Sequence, residues 1–125
     1  MVSKLSPTDT VNRVELLCLV DNQVRRRGLL AEHGLSILIE TEKAKVLLDA
    51  GQTPKTLFHN ARLLKIDMDG IHTAIMTHGH YDHTGSIPKL SSRAGRSLNI
   101  VAHPEIFRPK FTVKRGETTV RWRSF

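Results

Sequence analysis

Thr77-His78-Gly79-His80-Tyr81-Asp82-His83-Thr84-Gly85 decides how this chain is read: three histidines and one aspartate follow directly on the apolar run Thr73-Ala74-Ile75-Met76. Imidazole and carboxylate are ligands that zinc accepts, and the same set can take iron or manganese. The run Ile71 to Thr77, with Gly70 before it and glycines after it, reads as a buried strand that carries the ligands at its end. His78 and His80 are two apart and share a side if the backbone stays extended. Asp82 and His83 follow in a turn and can address a second position. Two adjacent metals fit this pattern, and such a pair can hold a hydroxide at neutral pH and clamp the oxygens of a displacement. The plainer alternative is surface histidines, or core histidines satisfied by backbone groups. Four ligand-type groups arranged as His-x-His-x-Asp-His weigh against it, whereas His72, before the strand, keeps it.

Working outward, the pattern is α/β. Met1 to Thr10 is a polar leader without the apolar core of a signal peptide. Val11 to Val20 reads as a first strand ending at Asp21-Asn22, followed by a charged loop from Gln23 to Gly34. Leu35 to Glu40 and Ala44 to Leu48 form a hairpin across Thr41-Glu42-Lys43, with Ile37 and Ile39 on one face. Thr53-Pro54 starts a helix in the favoured way, a side-chain cap before a first-turn proline. Leu57, Phe58, Ala61, Leu64 and Lys65 give that helix its core-facing side. Ser86 to Ser92 is a short helix, Leu98 to Ala102 a strand, and Pro104 to Phe107 a turn or short helix.

At 125 residues, 39% hydrophobic and 5% aromatic, the chain can form one domain with a modest core. The net charge of +7 is local: residues 108–125 hold six Lys or Arg and one acidic residue, Glu117. Such a tail can contact phosphates, but no recognition motif accompanies it, so nucleic acid is not the expected partner. Alternation of Val120, Trp122 and Ser124 with Arg121 and Arg123 reads instead as one interrupted strand. Arg25-Arg26-Arg27 can attract an anionic small-molecule substrate, although a solvated loop needs no partner. Cys18 is the single cysteine, excludes an internal disulfide and reads as a small buried apolar residue. A reducing, cytoplasmic setting is the default, and no apolar run approaches the ~20 residues of a membrane span.

His78-Gly79-His80-Tyr81-Asp82-His83 resembles the signature of the metallo-β-lactamase superfamily. The stretches Leu19-Val20-Asp21-Asn22, Glu32-His33-Gly34-Leu35-Ser36, Leu48-Asp49-Ala50-Gly51 and His78 to Gly85 together resemble one subgroup. That subgroup is the 7,8-dihydropterin-6-methyl-4-(β-D-ribofuranosyl)aminobenzene 5'-phosphate synthase-like proteins. The similarity runs from Val11 to Phe107. It implies the N-terminal half of an αββα sandwich, a mixed sheet with flanking helices. It implies further that His78 and His80 bind one zinc, that Asp82 and His83 bind a second, and that Asp82 orients the attacking water. Asp49 would stand behind the ligands and hold one of them, or the water, in place.

In the family the remaining ligands come from the second half of the domain. Here His103 is the only later histidine, and it matches a position that is not a ligand; a histidine before a proline reads as structural. Three expectations follow. One is half of a hydrolase that attacks an ester, phosphoester or related bond in full-length relatives, weak or inactive alone. Another is a split enzyme completed by a second chain, or a homodimer that covers the open side of the sheet. The last is a non-catalytic metal-binding module whose basic tail meets an anionic partner.

Overall fold

The computed structural model describes residues 10–93, 97–109, 111–114 and 117–120. The leader up to residue 9 and the Trp122 end of the basic tail lie outside the described residues. Five strands form one mixed sheet in the order of the chain: β1 (Val14–Val20), β2 (Ser36–Thr41), β3 (Lys45–Leu48), β4 (Thr73–Ile75) and β5 (Asn99–Val101). The first three are antiparallel neighbours, and β4 and β5 add in parallel. Parallel pairing needs crossovers, which are supplied by helix α1 (Pro54–Leu63) and by the helices α2 (Tyr81–Thr84) and α3 (Ile87–Arg93). A 3-10 turn covers Pro104–Phe107, and β6 (Phe111–Lys114) pairs with β7 (Glu117–Val120) as a separate hairpin. The described part of the basic segment is thus a hairpin, while the interrupted strand expected around Trp122 and Ser124 lies outside the described residues.

Helix α1 begins and ends for identifiable reasons. The Thr53 side chain accepts from the Thr56 amide, Pro54 takes the first turn, and Arg62 lies in the last turn, where a cation suits the helix dipole. At the other end Lys65 takes a left-handed conformation, φ 59°. Its amide donates to the Arg62 carbonyl, and the Ile66 amide donates to that of Ala61, which is a Schellman closure made without glycine. Lys65 thus ends the helix rather than extending its apolar face. Leu57 and Ala61 are buried from that face against Leu19, Leu38, Leu47 and Ala74, and each fully buried leucine contributes about 2 kcal/mol.

Register gives the two faces of the sheet opposite characters. Leu17, Leu38, Leu47 and Ala74 lie in one cross-strand row beneath the helices, and the last three are buried. The other side carries the rows Cys18-Ile37-Leu48-Ile75-Val101 and Leu16-Ile39-Val46-Thr73-Asn99. No described element covers this side fully: Leu16 is 69% and Val101 53% exposed. Cys18 lies there too and is exposed, not buried as the sequence reading had it. Strand β2 keeps its expected length, shifted by one residue, and the other strands are shorter than expected, with β4 only Thr73–Ile75, because the chain beyond it turns to form the site.

Candidate metal centre

The motif residues gather at the edge of the sheet where β3 and β4 end side by side. Open α/β sheets place their ligands at such carboxyl ends. Three loops are stitched together there by main-chain bonds. Gly51 N–H donates to the Leu35 carbonyl at 2.9 Å, Ala50 N–H to that of His83 at 2.7 Å, and Gly85 N–H to that of Gly51 at 3.0 Å. The crossings are too close for side chains. A Cβ on Gly85 would stand 2.0 Å from the Gln52 carbonyl oxygen, and one on Gly34, at φ +141°, 2.3 Å from that of Asp82. Glu32 secures the same junction, accepting from the Gln52 and Thr53 amides at 2.8 and 2.9 Å and from the Thr53 hydroxyl at 2.6 Å.

Asp49 is the hub. It has no solvent exposure and a left-handed backbone, φ 55°, a conformation that costs a non-glycine residue energy and that aspartate tolerates better than most. Its carboxylate accepts from Thr77 N–H at 2.8 Å and Thr77 Oγ1–H at 2.7 Å, and faces His83 Nδ1 at 2.7 Å. A carboxylate can only accept, so His83 carries its proton on Nδ1 and presents the Nε2 lone pair. Thr77 passes the arrangement on. Its hydroxyl proton is committed to Asp49, so Oγ1 accepts from His78 Nδ1 at 3.0 Å, and His78 also presents Nε2.

Those two lone pairs point at the other motif residues. His83 Nε2 lies 3.4 Å from Asp82 Oδ2, and His78 Nε2 lies 3.1 Å from His80 Nδ1. The imidazoles of His78 and His83 are in contact, with ring centroids 4.1 Å apart. Burial, followed by the neighbouring His83 and His80, holds His78 below its ordinary pKa of 6.5, which favours the neutral ring that binds metals. Asp82 and His83 sit on the helical turn α2, and Asp82 is buried. Two ligands on a tetrahedral ion with bonds of about 2.0–2.1 Å stand roughly 3.3 Å apart. The pairs His78/His80 and Asp82/His83 match that separation, so their chemistry and spacing fit zinc two by two. Among the described residues no three such groups are disposed to hold one ion together.

His72 takes no part; its carbonyl accepts from Asn99 N–H beside β4. His103 caps the 3-10 turn, its side chain accepting from the Glu105 amide. His33, to which the sequence reading gave no role, does reach the site: its Nε2 is 3.3 Å from Asp82 Oδ2. The signal available was its place in Glu32-His33-Gly34, between a carboxylate that anchors one loop and a glycine that crosses another. Among the described residues no helix is long and apolar enough to cross a membrane.

The chain matches the family model described as the metallo-beta-lactamase superfamily over residues 30–120. It is 34% identical over 88 residues to a 7,8-dihydropterin-6-methyl-4-(beta-D-ribofuranosyl)-aminobenzene-5'-phosphate synthase of Methanocaldococcus jannaschii, which covers 67% of this chain and 30% of that protein. An uncharacterized protein of the same organism is 34% identical over 97 residues, covering 78% of this chain and 37% of the relative. Among solved structures, a metallo-beta-lactamase with an HARLDQ motif from Cronobacter sakazakii superposes with a TM-score of 0.53 at 25% identity. That superposition covers 62% of this chain and 30% of the other. The chain spans about a third of the length of the curated relatives it matches.

Proposed function

This chain belongs to the metallo-beta-lactamase superfamily, and from that premise we propose that it supplies one set of ligands to a dinuclear zinc centre that hydrolyses an ester, phosphoester or related bond. The carrying observation is the Asp49 hub, which fixes His83 directly and His78 through Thr77 so that both turn an unprotonated Nε2 toward a second donor. A surface histidine cluster has no need of a buried, strained aspartate to set its tautomers.

In this reading His78 and His80 hold one ion, and Asp82 and His83 hold the other. The chemistry zinc supplies when bound is a water acidic enough to react near pH 7 and neutralisation of charge on the scissile group. The chain's own residues do the rest. Asp82 orients the water and receives its proton, while Asp49 keeps His83 in the ligating tautomer against competing rotamers. Among the described residues the donors come in pairs rather than triads, and in this reading a further ligand-bearing segment completes the centre. The open apolar rows around Leu16, Ile37, Leu48 and Val101 support its packing on that side of the sheet; a second copy of the chain could cover those rows, but the missing ligands would come from a different segment.

The test is hydrolysis of a nitrophenyl ester and a bis-nitrophenyl phosphodiester by the zinc-loaded 125-residue chain and its Asp82→Asn variant. The expected result is zinc retention with slow turnover that the variant abolishes. Measurable turnover of equal rate in both proteins, or a parent chain that retains no zinc, would sink the reading.

A further inference from the structure

A run of polar contacts from Gly34 through Asn22 to His33 ends beside Asp82 and assigns a role to His33. Asn22 Oδ1 accepts from Gly34 N–H at 3.0 Å, and since a backbone amide can only donate, this fixes which end of the Asn22 amide is oxygen. Asn22 Nδ2 is then the atom facing His33 Nδ1, at 3.5 Å, the long end of hydrogen-bonding distance. Nδ1 is thereby the acceptor, the proton resides on Nε2, and Nε2 stands 3.3 Å from Asp82 Oδ2.

His33 and His83 therefore meet the same carboxylate oxygen in opposite tautomers. His83 turns its Nε2 lone pair to that oxygen across 3.4 Å, a spacing that a shared metal ion would bridge. His33 offers a proton. Its side chain is 66% exposed, so no part of the core depends on it, yet the residues on either side of it are tightly held. Glu32 is bonded to the start of α1, and Gly34 crosses the Asp82 main chain too closely for a side chain.

We propose that His33 is a positioning residue: with Nε2 held 3.3 Å from Asp82 Oδ2, it limits the rotamers of Asp82 and keeps that carboxylate beside His83, where a metal would bind. The inference rests on the reading of Asp82 as a metal-binding group. An amide at the same place serves as well, because the Nε2 of glutamine can occupy the donor position and an alanine offers nothing.

The test measures zinc affinity by competition with a chromophoric chelator for the full chain, His33→Ala and His33→Gln, together with thermal unfolding of the metal-free proteins. Affinity in His33→Ala should fall about 10- to 100-fold, the range typical of groups that orient metal ligands. His33→Gln should stay within a few-fold of the parent, and all three metal-free proteins should melt together. Parental affinity in His33→Ala would overturn the role of His33 and leave the metal centre standing, as would equal losses in both variants. A parent chain that takes up no zinc would overturn the metal centre and this inference with it.

Discussion

Asp49 Oδ2 lies 2.7 Å from His83 Nδ1, joining the end of β3 to the turn after β4 and deciding which nitrogen of His83 is free. An asparagine would keep the bond from Thr77 N–H but face His83 with a donor. The imidazole proton would move to Nε2, the wrong atom for ligation. Asp49→Asn should lower zinc affinity about 10- to 100-fold and stability by about 1–3 kcal/mol. Titration calorimetry and imidazole nitrogen shifts read both, and unchanged His83 shifts would refute the tautomer assignment.

The two close crossings make a second prediction. At Gly85 and Gly34 an added Cβ meets main-chain oxygens at 2.0 and 2.3 Å, and main chain cannot step aside as a side chain can. Gly85→Ala and Gly34→Ala should each cost about 3 kcal/mol or more and loosen the loops that hold Asp49, Asp82 and His83. Chemical denaturation measures the cost; parental stability in either variant would contradict the geometry.

How much of this was readable in the sequence depends on how local each signal is. Thr53-Pro54 carries a cap and a first-turn proline in adjacent positions, and the helix begins where they place it. The order from β1 to β5 with α1 and α3 was equally legible, because each of these elements announces itself within a few residues, whereas α2 and the β6–β7 pair were not. Cys18 was misplaced because Leu16-Leu17-Cys18-Leu19-Val20 is apolar throughout: with no alternation, a one-residue choice of facing cannot be made. The Asp82–His33 contact joins residues far apart in sequence and was invisible for that reason. The tautomer relay through Thr77 was hidden too, since a threonine beside a histidine is unremarkable until its hydroxyl is seen committed elsewhere.

His78 yields a prediction about pH. Its pKa in the folded chain is lowered from 6.5, first by burial and then by His83 and His80, so the unfolded chain protonates there more readily. The corresponding stability is fully present above about pH 6.5 and is lost as the pH falls below it. The melting temperature of the metal-free chain should decline on acidification through this range, and His78→Gln should flatten the decline. A proton NMR titration placing the His78 midpoint at or above 6.5 would contradict the expectation.

The open side of the sheet predicts association. Leu16, in the first strand, exposes most of its side chain beside Ile39, and apolar surface of this kind drives contact between molecules. Leu16→Glu should shift the chain toward monomer in sedimentation velocity without loss of helix or strand by circular dichroism. A self-association unaffected by this change would place the contact elsewhere.

Zinc stoichiometry of the purified 125-residue chain and of its His80→Ala variant, measured by elemental analysis after gel filtration, tests the central claim most directly. The account predicts one or two zinc ions per parent chain, in keeping with the two donor pairs, and a lower content in the variant. No zinc in the parent, or the same content in both proteins, would contradict it.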